Sequence, residues 1–144
     1  MLETYSEEVE VRSEEAIPFQ VNVDPDFSGI VEHEPGSCEI FLRKPGAYLV
    51  TCSASCSPLS TGLMGMQMSL DGEMKESACI GMDATEGGRM EAMSFSTIVR
   101  VDRDWRPYGP KPSSAFRIVN LDTDTMYNSV TVTVIRITNS FYAA

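Results

Sequence analysis

The strand that decides the fold reads Ala47-Tyr48-Leu49-Val50-Thr51-Cys52-Ser53-Ala54-Ser55-Cys56. Its even-numbered side chains, from Tyr48 to Cys56, are apolar, whereas the odd-numbered ones are small or carry hydroxyl groups, with Leu49 as the exception. This period of two is typical of a strand that buries one face. It follows the turn Lys44-Pro45-Gly46, in which proline presets φ and glycine permits a reversal of the chain. The segment therefore predicts a long strand with one face against a hydrophobic core.

Shorter runs of the same kind continue on both sides of this strand. Turn residues separate them, and Asp71-Gly72 between two such runs is the signal of a tight β-hairpin. In addition to residues 47–56, the predicted strands cover residues 17–23, 30–33, 39–42, 64–70, 73–80, 90–101, 115–121 and 129–137. Because no long stretch shows the helical period of about 3.6 residues, the sequence predicts an all-β domain, built as a sandwich or a barrel.

Length and charge distribution predict one domain with an extension. A chain of 144 residues is long enough to bury one sizeable core and too short for two. Its first segment is acidic and poor in large apolar side chains, so we expect an acidic N-terminal arm over residues 1–15 and the folded domain over residues 16–144. Tyr5, Val9 and Val11 are the candidates for anchoring this arm on a neighbouring protein. The alternative is a solvated tail.

The net charge argues against one class of partner. At −10, with a pI near 4.4, the chain lacks the clustered lysine and arginine that phosphate contacts need, so we expect no nucleic-acid partner. The N-terminus has neither a basic start nor an apolar segment, and no apolar run approaches the roughly 18 residues of a membrane-spanning helix. The expectation is a protein made in the cytoplasm without a signal peptide and without a membrane span.

Catalytic chemistry has few candidate groups in this sequence. The single histidine, His33, lies between Glu32 and Glu34 and is interpreted as a solvated surface residue. The sequence contains no glycine-rich phosphate loop and no Gly-x-Ser-x-Gly motif. We therefore expect no enzymatic activity, no catalytic residue and no cofactor.

The cysteines Cys38, Cys52, Cys56 and Cys79 are interpreted as reduced thiols. In an extended strand, Cys52 and Cys56 are roughly 13 Å apart, which is too far for a disulfide or for a shared metal ion. A buried free thiol is the simpler role for each, and we expect no metal site.

Two other clusters have both a structural and a functional interpretation. One is a set of alternate methionines on a predicted strand, Met64, Met66 and Met68. They are interpreted as core side chains rather than as an adaptable binding surface. The other cluster, Trp105, Arg106 and Tyr108, lies in a proline-rich loop and is of the types enriched at binding hot spots. This loop is a candidate contact for a partner protein or a glycan, and the alternative is that it folds onto its own domain.

Four segments carry a family resemblance through their order and spacing. They are Ile17-Pro18-Phe19, Glu39-Ile40-Phe41-Leu42-Arg43-Lys44-Pro45-Gly46-Ala47-Tyr48-Leu49-Val50, Met68-Ser69-Leu70-Asp71-Gly72 and Val132-Thr133-Val134-Ile135-Arg136-Ile137. Together, over residues 17–137, the chain resembles the C1q/TNF-like jelly rolls, and more closely their bacterial and phage members. The resemblance implies a ten-stranded sandwich of two sheets, a tight homotrimer, and binding as the usual activity. It carries over no calcium-ligand cluster, so it implies no metal.

The resemblance leads to a hypothesis about function. We expect a non-enzymatic homotrimer on the surface of a virion, as a capsid decoration or head-fibre protein. Its partners are then its own copies and a major capsid protein or another virion or surface protein. The alternative is a bacterial spore-coat or cell-surface domain that binds glycan or a host protein. The side chains expected at the threefold contact are Phe95, Val132, Val134, Ile135, Phe141 and Tyr142.

Overall fold

Ten β-strands form two antiparallel sheets in the computed structural model, which describes residues 1–84, 89–101 and 114–138. The strands are β1 (Leu2–Val11), β2 (Val21–Asp24), β3 (Val31–Glu32), β4 (Ile40–Leu42), β5 (Gly46–Pro58), β6 (Gly62–Leu70), β7 (Glu73–Ala84), β8 (Glu91–Val101), β9 (Ser114–Asn120) and β10 (Thr125–Thr138). Within these three ranges, no helix is long and apolar enough to cross a membrane.

Strands that follow one another in sequence are distributed over both sheets. Sheet I has the order β2-β1-β10-β5-β8, and sheet II has the order β3-β4-β9-β6-β7. At the centre of sheet I, β10 pairs along its length with β1 on one side and with β5 on the other. Two packed five-stranded sheets in this order form a jelly-roll β-sandwich, which confirms the fold class predicted from the sequence.

The core lies between the sheets and consists of inward-facing alternate side chains from both. Tyr48 on β5 and Tyr127 on β10 are its largest fully buried side chains. Met64, Met66 and Met68 on β6 are also fully buried, as predicted. Burial of a side chain of this size stabilises a fold by roughly 1.5–3 kcal/mol. Three such side chains at alternate positions therefore determine which face of β6 is directed inward.

The expected N-terminal arm is instead the strand β1. It pairs with β10 from Leu2 opposite Val134 to Val11 opposite Thr125, and its other edge pairs with β2. Leu2 and Val11 are almost completely buried, with exposed fractions of 1% and 2%. The prediction of an arm over residues 1–15 ahead of a domain is therefore wrong, because the domain begins at β1.

The low hydropathy of β1 concealed its place in the sheet. Its inward-facing Thr4 and Ser6 are polar, yet both are fully buried. Thr4 Oγ1 donates to the Val21 carbonyl (2.9 Å), and Ser6 Oγ donates to the Pro18 carbonyl (2.6 Å). Because each hydroxyl has a partner, its burial costs little. A strand of short polar and charged residues can then occupy an interior position in a sheet, here between β2 and β10.

A buried hydrogen-bond hub joins the end of β1 to the connection between β9 and β10. The Asn120 Nδ2 donates to the carbonyls of Val11 and Arg12, both at 3.1 Å. It also donates to the Thr123 carbonyl (2.9 Å), while Asn120 Oδ1 accepts from the Tyr127 hydroxyl (2.6 Å). Asn120 is fully buried, so the loss of this side chain would leave several polar groups unpaired in the interior.

The cysteines are free thiols in different environments, and Cys52 and Cys56 are buried in the core. Burial raises the pKa of Cys52 to about 12 and that of Cys56 to about 11. The Cys52 sulfur lies 3.8 Å from the Met66 sulfur. Cys38 is half-buried, and Cys79 is exposed on β7. The buried pair is therefore chemically protected, while Cys79 is accessible to reagents in solution.

Replacing Asn120 tests the hub. We expect Asn120→Ala to lower the free energy of unfolding by roughly 3 kcal/mol, because the Tyr127 hydroxyl and buried carbonyls lose their partner. Urea unfolding followed by circular dichroism measures this loss. Asn128→Ala is the matched control, since Asn128 is half-buried and donates to the Ser57 hydroxyl over 3.4 Å. An equal loss in both variants would contradict the role assigned to Asn120.

Thiol reactivity tests the core. Near neutral pH, we expect Ellman's reagent to modify Cys79 rapidly in the folded protein and to reach Cys52 and Cys56 only after unfolding. The thiolate is the reactive form, and a raised pKa suppresses it. Absorbance recorded with native and with urea-unfolded protein measures the two rates. Cys79→Ser should abolish the rapid phase, and rapid modification of Cys52 in the native state would refute the assignment.

Candidate interaction surfaces

The outward face of sheet I carries no charged side chain across the described middle segments of β10, β5 and β8, and we call this area the open face. Its members are Ser129, Thr131, Thr133 and Ile135 on β10, Leu49, Thr51, Ser53 and Ser55 on β5, and Ala92, Ser94, Ser96 and Ile98 on β8. Charged residues make up 22% of the chain. Since interface centres are depleted of charge, the open face is a candidate contact with another chain.

Cross-strand pairing arranges the open face in rows. Leu49 pairs with Ile135 on one side and with Ile98 on the other. Ile135 and Ile98 have exposed fractions of 39% and 53%, which is high for isoleucine in a sheet. The neighbouring rows consist of threonine and serine side chains. The face thus combines an apolar row with short hydroxyl side chains, over which a second surface can approach the sheet closely.

The predicted threefold contacts are distributed over both sides of sheet I. Phe95, Val132 and Val134 face the core, with exposed fractions of 9%, 0% and 0%, so the prediction that they form a subunit contact is wrong. Ile135 lies on the open face. The density of β-branched residues identified the strand, but the period of two decides which residues are directed outward. Two further predicted contacts, Phe141 and Tyr142, lie outside the described residues.

The predicted anchoring residues belong to the sheet. Val11 is part of the core, and half-buried Val9 packs against it. Tyr5 is half-buried and lies beside Thr131, on the side of the open face. A free arm formed by these residues is therefore contradicted. The predicted binding loop, Trp105, Arg106 and Tyr108, lies outside the described residues.

His33 is half-buried, and the expectation of a solvated surface histidine is wrong. Its Nδ1 lies 2.6 Å from Asn22 Oδ1, and its Nε2 lies 2.9 Å from the Ser37 carbonyl oxygen. The ring meets the Phe19 ring edge-on, with centroids 6.3 Å apart. Burial lowers the pKa of His33, while the Ser37 carbonyl and Glu34 oppose this shift. Both ring nitrogens face protein oxygens, so the imidazole joins β2 to the turn after β3.

Groups suited to catalysis or metal binding are dispersed in the part of the chain that the structure describes. There, no three His, Cys, Asp or Glu side chains lie close enough together to hold a metal ion. The buried thiols of Cys52 and Cys56 lie inside the core rather than in a cleft.

A second surface, which we call the loop corner, lies at the end of the sandwich where β2 leads to β3. It consists of residues 25–30 and of two hollows that share Asp26 and Val31. One hollow, of about 450 Å³, extends to β4 at Phe41. The other, of about 550 Å³, extends to the end of β10 at Ile137.

Sequence reasoning found neither surface as a whole. The open face combines three strands that are far apart in the chain, and the loop corner brings Met1 next to Ile137. The signals available were the hydroxyl-rich alternate positions of residues 47–56 and the strand break at residues 24–26. These signals indicate a surface only when it is known which strands are neighbours in the sheets.

No protein-family model matches the chain, and no curated protein matches it. The crystal structure of pika GITRL is similar, with a TM-score of 0.51 and 8% identity over 97% of this chain and 100% of that chain. The crystal structure of rabbit GITRL has a TM-score of 0.49 and 10% identity over 79% of this chain and 82% of that chain. At this identity, the likeness to the pika protein shows the fold alone. Together with the strand order, it identifies the chain as having a TNF/C1q-like jelly-roll fold.

Proposed function

We propose that this chain is a non-enzymatic structural protein that assembles as a homotrimer through the open face and is displayed on a virion, as a capsid decoration or head-fibre protein. The observation that carries the assembly is the absence of charge on the open face of a chain whose net charge is −10. The resemblance of the sequence to phage and bacterial jelly rolls supports the proposed location on the particle surface.

The chemistry of the open face suits contact between identical copies. Two copies that each carry −10 repel one another, and a contact centred on an uncharged area leaves carboxylates only at its edge, where Glu3 and Glu7 of β1 lie opposite Thr133 and Ser129. The partly exposed row of Ile135, Leu49 and Ile98 gains free energy when it leaves water. When two different patches on identical chains contact each other, the copies form a closed ring if the rotation from one copy to the next is a whole fraction of a turn. The family resemblance supports a ring of three copies.

The environment of the reactive side chains supports a role without catalysis. Both ring nitrogens of His33 lie within hydrogen-bond distance of protein oxygens, and burial raises the pKa of Cys52 to about 12. A general base needs a ring nitrogen that is free to accept a proton from a substrate, and a thiolate nucleophile needs a thiol whose pKa is lowered. Since residues 2–11 form a central strand, attachment to a capsid protein or another particle protein uses a different surface from the one expected of an arm.

A charge introduced on the open face tests the assembly. We expect the purified chain to have three times the 15.9 kDa mass of one copy by light scattering, and Ser53→Glu to reduce it to a single copy. Ser53 is exposed on β5, between Thr131 and Ser94, so its carboxylate would be buried without a partner. Ser77→Glu, on exposed Ser77 of β7 in sheet II, makes the same chemical change and should leave the mass unchanged. A monomeric unmodified chain would refute the trimer.

The location is tested on purified particles. We expect mass spectrometry of purified phage particles to detect the chain in stoichiometric amount, and immunogold labelling to locate it on the outside of the particles. Detection in the spore coat or cell envelope, and not in particles, would refute the virion role and favour a bacterial surface domain.

A further inference from the structure

The loop corner presents one large aromatic side chain to solvent. Phe27 has an exposed fraction of 93%, the largest of any large apolar side chain in the described part of the chain. Solvent exposure of a whole phenyl ring is unfavourable, so a partner that covers Phe27 at the tip of residues 25–30 gains free energy from its burial.

Hydrogen bonds to Asp26 brace the loop that carries Phe27. The Asp26 carboxylate accepts hydrogen bonds from the backbone N–H of Ser28 (2.9 Å) and of Val31 (3.0 Å), and also from the Ser28 hydroxyl. Gly29 adopts a φ of 75°, which glycine tolerates without strain. The phenyl ring is therefore displayed on a braced turn, which reduces the entropy lost when it binds.

Apolar side chains continue beside the loop. The hollow of about 550 Å³ is lined by Met1, Ile30 and Ile137, among others. Met1 and Ile137 have exposed fractions of 52% and 51%. A protruding aromatic ring beside a hollow whose lining includes apolar side chains offers a protein segment two features to contact, a ring and a recess.

Carboxylates line the other hollow of the loop corner and lie on the adjoining ends of β1 and β2. Glu3 on β1 and Asp24 on β2 stand opposite each other in the strand register, an arrangement that is destabilising for like charges. The carboxylates at this end of the sandwich are Glu3, Asp24, Asp26, Glu32 and Glu34. A positively charged neighbour would relieve their mutual repulsion.

The arginines at the corner are already engaged. Arg43 Nε lies 2.8 Å from Glu32 Oε2, and its guanidinium stacks over the Phe41 ring at 4.5 Å. Arg136 donates to the Pro45 carbonyl. Five carboxylates stand against the two guanidinium groups and the Met1 ammonium, which lies near Asp26, so the field of the corner is negative.

We propose that the loop corner is a docking surface for a segment of a different protein, in which an apolar anchor is flanked by lysine or arginine. A second copy of this chain is a poor occupant, because it carries the same negative charge, whereas the open face has no charge to oppose self-contact. The inference goes beyond the proposed function and does not depend on the trimer or on the virion.

A library of short random peptides displayed on beads is the probe. We expect selection on the full chain to enrich peptides with one aromatic or branched aliphatic residue next to lysine or arginine. A selected peptide, titrated by fluorescence anisotropy, should bind Phe27→Ser roughly tenfold or more weakly than the unmodified chain. Its affinity for the unmodified chain should fall as salt increases, because screening weakens the attraction to the carboxylates.

Matched variants separate this proposal from the previous one. Met90→Ser removes an apolar side chain with an exposed fraction of 61%, next to β8 at the opposite end of sheet I, and should leave peptide binding unchanged. Ser53→Glu should bind the peptide normally whether or not the chain is a trimer. Phe27→Ser should keep both the thermal stability and the mass of the unmodified chain.

Three results would overturn the proposal. They are enrichment of no peptide or of acidic peptides, unchanged affinity of Phe27→Ser, and a reduced mass of Phe27→Ser in light scattering. The last would assign Phe27 to contact between copies. A monomeric unmodified chain that still binds basic peptides through Phe27 would refute the trimer and leave this docking surface in place.

Discussion

The pairing of β10 between β1 and β5 is the constraint on which both the core and the open face depend. This pairing directs the side chains of Val130, Val132 and Val134 into the core between the sheets, and it directs those of Thr131 and Thr133 to the outer face of sheet I. Because side chains alternate with a period of two, a shift of one residue would bury the hydroxyl side chains and expose the valines. Burial of the valines therefore stabilises the register, and the register in turn produces the uncharged outer surface.

The molecule separates two kinds of surface by charge. The open face places apolar and hydroxyl side chains on one side of sheet I, whereas carboxylates gather at the loop corner, which also carries the exposed Phe27. In a chain with a net charge of −10, this difference selects partners: contact between identical copies is least opposed where charge is absent, and a basic partner is most attracted where carboxylates gather. One sandwich thus offers two contacts of different chemistry, which meet at Ile135, a residue of both the open face and the hollow of about 550 Å³.

The N-terminal strand shows how a polar segment enters the interior. The Thr4 and Ser6 hydroxyls donate hydrogen bonds to backbone carbonyls. At the end of the strand, the side-chain amide of Asn120 donates to the carbonyls of Val11 and Arg12. These bonds replace those that the same groups make with water in the unfolded chain, so the strand is central despite its low hydropathy. Val11 and Arg12 are separated from Asn120 by 109 and 108 residues in sequence, and local patterns give no indication of these two contacts.

Local chemistry was sufficient for the all-β class, the buried methionines and thiols, and the turn at Asp71-Gly72, whose φ values of 50° and 87° are those of a tight hairpin. Each of these follows from residues that are neighbours in the chain. Only the tertiary structure decided that residues 2–11 form a strand, that Val132 faces inward, and that His33 is enclosed by Asn22 and Ser37. These features depend on hydrogen bonds and on strand register between distant segments, which folding brings together and which sequence order does not reveal.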